Sequence, residues 1–197
     1  MKEQWNARYN STNYIYGIEP NSFFAESLLK LNPGKVLLPG EGEGRNAIYA
    51  AQNSWEVHAF DYSNVACEKA LRLANKNNVN ISYSVHDTNQ INFAENSFDL
   101  IAVFYLHLIT HERIEFHNHL IKLLKPKGVF LAEYFSKEQL NNNSGGPRKL
   151  ELLYSKSDIF NDFKRLSKVK IEEVKTYLDE GDWHKGQAEV VRIIGNK

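Results

Sequence analysis

The sequence predicts a doubly wound α/β fold, a mostly parallel seven-stranded sheet that ends in an antiparallel hairpin strand. Three observations carry this. Short continuous apolar runs, Val36 to Leu38, Val57 to Phe60 and Leu100 to Tyr105, recur between helical segments, as buried parallel strands do when helices cover both sheet faces. Glycines at 40, 42 and 44 follow the first run directly and lead into a helical stretch. Two later apolar runs, Val169 to Tyr177 and Ala188 to Ile194, have no helix between them, so they should pair antiparallel.

The remaining elements follow in order. After the second run, Ser63 caps a helix whose apolar residues Ala66, Cys67, Ala70, Leu71 and Ala74 return at helical spacing and stop near Asn77-Asn78. Ile81 to Val85 reads as a short alternating strand. His111 to Leu124 reads as an amphipathic helix ended by Lys125-Pro126-Lys127-Gly128, because the proline cannot continue it. Val129 to Phe135 is the next strand. Residues 136–150 include the polar run Asn141 to Pro147, a possible lid, and Ser155 with Asp158 forms a capping box ahead of Ile159, Phe160 and Phe163. No internal repeat is present, and residues 1–197 read as one domain.

Composition narrows the function classes. Lys plus Arg equals Asp plus Glu at 24 each, so no net field draws the chain to nucleic acid or an anionic membrane. The single cysteine, Cys67, allows no internal disulfide, which suits a reducing cytoplasm. No run has the length or apolarity of a signal peptide core or membrane span, so a cytoplasmic protein acting on small molecules is expected. Seven histidines raise the question of a metal, but His117 and His119 stand two apart on a helix and no familiar zinc spacing occurs, so none is expected. No exposed apolar stripe fixes the oligomeric state, leaving monomer or homodimer.

The glycine turn carries the most chemistry. In Val36-Leu-Leu-Pro-Gly-Glu-Gly-Glu-Gly-Arg-Asn46, a ligand can approach bare backbone at Gly40, Gly42 and Gly44. Asp61 closes the next strand, where a carboxylate can accept both hydroxyls of a ribose. Dinucleotides and S-adenosylmethionine both satisfy that geometry. Glu41 and Glu43 between the glycines favour the second, since carboxylates repel a diphosphate and attract a sulfonium and an ammonium. The looser dinucleotide spacing, Gly42-x-Gly44-x-x-Ala47, is nevertheless met.

Together these elements resemble the class I S-adenosylmethionine-dependent methyltransferases, with their Rossmann-like sheet and antiparallel seventh strand. Within them the chain is most similar to the small tellurite-resistance and thiopurine-type enzymes. The residues that carry this likeness are Trp5, Arg8-Tyr9, Tyr16-Gly17, Glu19-Pro20-Asn21, Gly44-Arg45-Asn46 and His184-Lys185. The resemblance implies that the turn with Arg45 and Asn46 holds the methyl donor and that Asp61 binds its ribose. It further implies that Tyr62 lies against the adenine, that Asp87 with Thr88 beside it meets the adenine amino group, and that Phe104 borders the methionine portion. Residues 1–25, with Arg8 and Tyr16, would cover the donor. Leu38 stands where most members have an acid, and Glu41 or Glu43 would substitute for it.

On the acceptor side the same likeness points to His184, with Lys185 in place of the group's arginine. His107, following the fourth strand, and Arg148, in the possible lid, complete the expected catalytic set. The implied reaction moves a methyl group to a small molecule, a thiol or chalcogen anion. Two alternatives stay open at this level: an NAD(P)-dependent oxidoreductase built on the glycine turn, and a non-catalytic S-adenosylmethionine-binding regulator.

Overall fold

A computed structural model describes residues 2–197. Met1, the first residue of the expected covering segment, lies outside the described residues. The chain divides into two compact units, one running through Asn92 and including Glu180–Asp182, the other comprising Phe93–Asp179 and Trp183–Lys197. Seven strands are ordered β3-β2-β1-β4-β5-β7-β6, the mixed sheet that the sequence predicts.

In the first unit, β1 (Lys35–Pro39) pairs in parallel with β2 (Glu56–Asp61), and β2 with β3 (Ser82–Val85). Val36, Leu37 and Leu38 are buried together, so Leu38 is a core residue opposite Ala59. Four helices belong here: α1 (Lys2–Tyr9), α2 (Ser22–Leu28), α3 (Arg45–Gln52) and α4 (Asn64–Lys76). The Ser63 hydroxyl accepts the Ala66 N–H at 3.1 Å, the expected cap of α4, and Cys67 is buried on that helix. The α1 helix is a finding without a sequence signal. Its residues are mostly polar and form no apolar stripe, and packing on α4 supplies what propensity does not.

In the second unit, β4 (Phe98–Phe104) pairs in parallel with β5 (Leu124–Phe135), and β5 pairs antiparallel with β7 (His184–Asn196). β6 (Ser167–Glu180) and β7 are neighbours joined through residues 181–183. Helix α5 (Thr110–Leu123) precedes β5, and α6 (Lys156–Phe160) carries the expected capping box from Ser155 and Asp158. One boundary differs from expectation: β5 begins at Leu124, which pairs with Phe98 before the register shifts, so the Lys125 to Gly128 turn sits inside the strand as an irregularity. Among the described residues, no helix is long and apolar enough to cross a membrane.

A buried polar network braces this unit. Asp162 accepts from Arg113 Nε at 2.7 Å and pairs with His117 Nδ1 at 2.9 Å, while His117 Nε2 meets the Tyr134 hydroxyl at 2.8 Å. All four side chains are buried. Burial pushes the His117 pKa down, so the ring is neutral, with Nδ1–H donating to Asp162 and Nε2 accepting from Tyr134. His117 is therefore structural, as its place on α5 predicts.

Candidate active site

The glycine turn folds as its sequence requires. Gly40, Gly42 and Gly44 have φ of 63°, 64° and 92°, the left-handed region open to glycine at little cost. At Gly44 space is also short: a Cβ there would lie 2.7 Å from the Ala70 Cβ. Gly44→Ala is thus expected to destabilise the protein by about 1–3 kcal/mol, read as a loss of several degrees in the thermal melt. An unchanged melt would show that α3 and α4 can separate at this crossing.

Asp61 anchors the turn. Its carboxylate accepts the Gly42 N–H at 3.2 Å and the Ser63 N–H at 2.9 Å, which holds β2's tip against the bare backbone. Burial pushes its pKa up to about 6, against the pull of those N–H groups and helped by the charge of nearby Asp87. The Tyr83 hydroxyl donates to the Gly42 carbonyl at 2.6 Å. Asp87 is exposed and caps the short 3-10 turn Thr88–Gln90, its Oδ1 taking the Thr88 N–H at 2.6 Å. Tyr62 is half-buried, with the Trp5 side chain hydrogen-bonded to it.

Both acids of the turn are engaged within the protein. Glu41 accepts the Ala47 N–H at 2.8 Å and the Asn46 amide at 3.4 Å, so it caps α3, and burial raises its pKa to about 7. Glu43 accepts the Ile15 N–H at 2.7 Å and forms an ion pair with buried Lys69. Neither one substitutes for the acid missing at Leu38, and the attraction expected between this turn and a cation is spent on a helix end and a lysine. The backbone conformation of the turn, and not its charge, is what suits a nucleoside ligand.

Arg45 and Asn46 need the same correction. Arg45 donates to Glu180 at 2.9 Å and to the Tyr16 carbonyl at 3.3 Å, while Asn46 accepts the Asn21 N–H at 2.9 Å. They hold residues 16–21 and the tip of the β6–β7 hairpin in place around the turn. Arg8 donates to the Tyr16 hydroxyl at 3.2 Å and lies 4.3 Å from the Trp5 ring centre. The Tyr9 hydroxyl rests on the turn, 2.9 Å from where a Gly42 Cβ would be. Tyr9, Ile15 and Tyr16 of the N-terminal segment thus pack on the turn and its helix.

The second unit holds the other expected residues. Phe104 is buried at the end of β4, and Tyr105 after it adopts φ 55°, a strained setting for a bulky residue and a frequent mark of functional sites. Its hydroxyl donates to Glu133 at 2.6 Å, and Arg192 Nε donates to the other oxygen of that fully buried carboxylate. The Tyr105 ring stacks on Phe135 at 4.6 Å and meets His184 edge-on at 4.7 Å. Gly145 backs His184, since any Cβ there would collide with the imidazole.

His107 and Arg148 depart from expectation. His107 Nδ1 lies 2.6 Å from the Leu152 carbonyl, and Nε2 accepts the Phe135 N–H at 3.4 Å. Burial lowers its pKa to about 4, so it is a neutral structural ring and not a proton acceptor. Arg148 is exposed and turned back on its own loop, donating to the Asn142 carbonyl at 2.6 Å and Asn143 Oδ1 at 2.7 Å. That loop is not loose. Buried Gln139 donates to Ser144 and the Gly145 carbonyl and accepts the Glu189 N–H, pinning residues 139–145 to β7. Lys185 is exposed, 3.8 Å from Asp179.

Comparison with known proteins bears on this turn directly, since residues 36–128 match the methyltransferase domain family. That stretch of the chain is similar to a methyltransferase domain. The chain is 26% identical over 113 residues to the probable S-adenosyl-L-methionine-dependent methyltransferase TehB of Haemophilus influenzae, covering 57% of this chain and 38% of that relative's length. The TehB crystal structure superposes with a TM-score of 0.73 at 18% identity, over 100% of this chain and 66% of that one. A structure described by the conversion of a disulfide bond into a thioacetal group during echinomycin biosynthesis gives 0.81 at 16% identity, over 100% and 91%. The chain spans well under half the length of the curated relatives it matches, 38% in the first case.

Three glycines hold their backbone open, and a carboxylate stands at the end of β2 with both oxygens aimed at main-chain N–H groups beside the turn. They fit a ribose-bearing ligand. Sequence reasoning missed Tyr83, Lys69, Glu133, Arg192 and Glu180. Only Lys69 left a signal, as a charge set three after Ala66 and four before Leu73 on the apolar face of α4.

Proposed function

We propose that this protein transfers a methyl group from S-adenosylmethionine to a small acceptor, a thiol or a chalcogen anion. The observation that carries the reading is the left-handed glycine turn tied to Asp61, inside the stretch that matches the methyltransferase family. The cofactor supplies a methyl group on a sulfonium, ready for displacement by a nucleophile. Asp61 accepts the ribose hydroxyls, Asp87 and Thr88 meet the adenine amino group, and Tyr62 flanks the ring. Tyr9, Tyr16 and Trp5 shield the turn from water, and their rings suit a neighbouring cation.

The acceptor class rests on the second unit. Tyr105, Phe135 and His184 form an aromatic cluster, a polarizable surface that suits sulfur and its heavier congeners. The resemblance of the sequence to the tellurite-resistance group, and the likeness to a structure described by the conversion of a disulfide bond into a thioacetal group, support the same choice. We assign His184 the proton of an acceptor that arrives neutral, a role that His107 cannot take with both nitrogens engaged. Equal numbers of acidic and basic residues support a small acceptor over nucleic acid, and a single buried cysteine fits a cytoplasmic setting.

Thermal-shift titration tests the donor. S-adenosylhomocysteine should raise the melting point by mass action, and NADH should not. The reverse result would establish the oxidoreductase reading. Incubation with labelled donor and a panel of thiols, selenite and tellurite tests the reaction, and binding without any methylated product would identify a regulator. With a neutral thiol, His184→Ala should lower kcat by about 10²-fold while S-adenosylhomocysteine affinity stays unchanged, the usual contribution of a general base. Arg148→Ala should leave both unchanged.

A further inference from the structure

We propose that Lys69 is a positioning residue for the donor site, whose buried ammonium ties the chain from Tyr9 to Asn13 onto the glycine turn and slows donor exchange. The inference rests on reading that turn as the donor site. From α4, Lys69 Nζ donates to three carbonyls of one segment: Tyr9 at 3.3 Å, Ser11 at 3.0 Å and Asn13 at 2.6 Å. It also pairs with Glu43. The Tyr14 hydroxyl returns a bond to the Lys69 carbonyl at 3.1 Å, and its ring centre lies 5.0 Å from Nζ.

The geometry says more than charge neutralisation. An ammonium paired with Glu43 alone would still have two protons to satisfy, and here the acceptors all come from alternate residues of the covering segment, so those protons are consumed in holding it. Burying an ammonium is unfavourable unless such partners are in place, which makes the ordered segment and the buried lysine one cooperative unit. Glu43 extends that unit to the turn. It lies between Gly42 and Gly44, and its second oxygen holds the Ile15 N–H at 2.7 Å. A ligand that orders the turn must therefore order the segment, and the segment must in turn hold the ligand, because coupling between two events is reciprocal.

The experiment uses the full chain and S-adenosylhomocysteine as probe. In the unaltered protein, the probe should slow hydrogen exchange of the amides of residues 9–15, and no change there would overturn the proposal. Lys69→Met should speed probe dissociation by about tenfold or more, within the usual range of coupling between sites. Because that variant strands the Glu43 charge, Lys69→Met with Glu43→Gln removes both charges and is the decisive pair. It should keep the wild-type melt but retain the fast dissociation and the lost protection. A double variant with wild-type dissociation and protection would reduce Lys69 to a counter-ion. If the unaltered protein takes up no S-adenosylhomocysteine at all, the donor reading itself fails, an outcome separate from these.

Discussion

Replacing Asp61 by alanine is expected to weaken S-adenosylhomocysteine binding by about 10²–10³-fold, because hydrogen bonds to a charged acceptor contribute about 1.5–3 kcal/mol each. Two effects combine. The variant loses the carboxylate that we propose accepts the ribose hydroxyls, and it releases the Gly42 and Ser63 N–H groups that shape the turn. Calorimetry on the variant checks this directly, and an affinity within about threefold of wild type would remove Asp61 from the site. The affinity should also depend on pH. Burial raises the Asp61 carboxyl to about 6, so binding weakens as pH falls through 6, and should be down about tenfold near pH 5, where most of the population is protonated. The same shift opposes folding of the ligand-free protein. With the usual value of 3.8 when unfolded, Asp61 contributes nothing below that pH and a penalty of about 3 kcal/mol above 6. The site thus keeps a charge that costs the ligand-free fold stability.

Asp162→Ala should produce the largest loss of stability, about 3–5 kcal/mol, because it leaves Arg113 buried without its counter-charge and His117 without its acceptor. Burial acts to raise the Asp162 carboxyl, but hydrogen bonds from His117 and Arg113 outweigh it and hold the group below its ordinary range. Stability from this carboxylate is therefore full above the ordinary carboxylate range and is lost as pH falls from there through the group's lowered pKa. Denaturant unfolding of the variant measures the effect. Arg113→Met combined with Asp162→Leu should recover much of the loss, since a well-packed apolar pair replaces a buried ion pair at little cost. A single variant as stable as wild type would mean that water reaches Arg113 easily.

Much of the fold is legible in local pattern. The apolar runs at 36–38, 57–60 and 100–105 become β1, β2 and β4, and the Ser63 and Ser155 caps stand where their spacing puts them. These features depend on a few neighbouring residues, so their physics is contained in a short window. The α1 helix is not legible, because its stability comes from α4, which lies far along the chain. The glycines and Asp61 were identified for a sound backbone reason. The charges of Glu41 and Glu43, which in the sequence speak against a diphosphate, are used by the folded protein on a helix end and a lysine.

What the sequence determined alone was the order of the strands and of the helices after α1, the conformation of the turn and the carboxylate at the tip of β2. These follow from periodicity, capping and the absence of a Cβ, which act over a few residues. Tertiary structure alone decided which polar side chains remain for chemistry. Arg45 goes to Glu180, Glu43 to Lys69, Tyr105 to Glu133, and His107 to Leu152 and Phe135, all across long stretches of chain. A buried polar group must find a partner wherever the fold provides one, and that partner's position in the sequence carries no local mark.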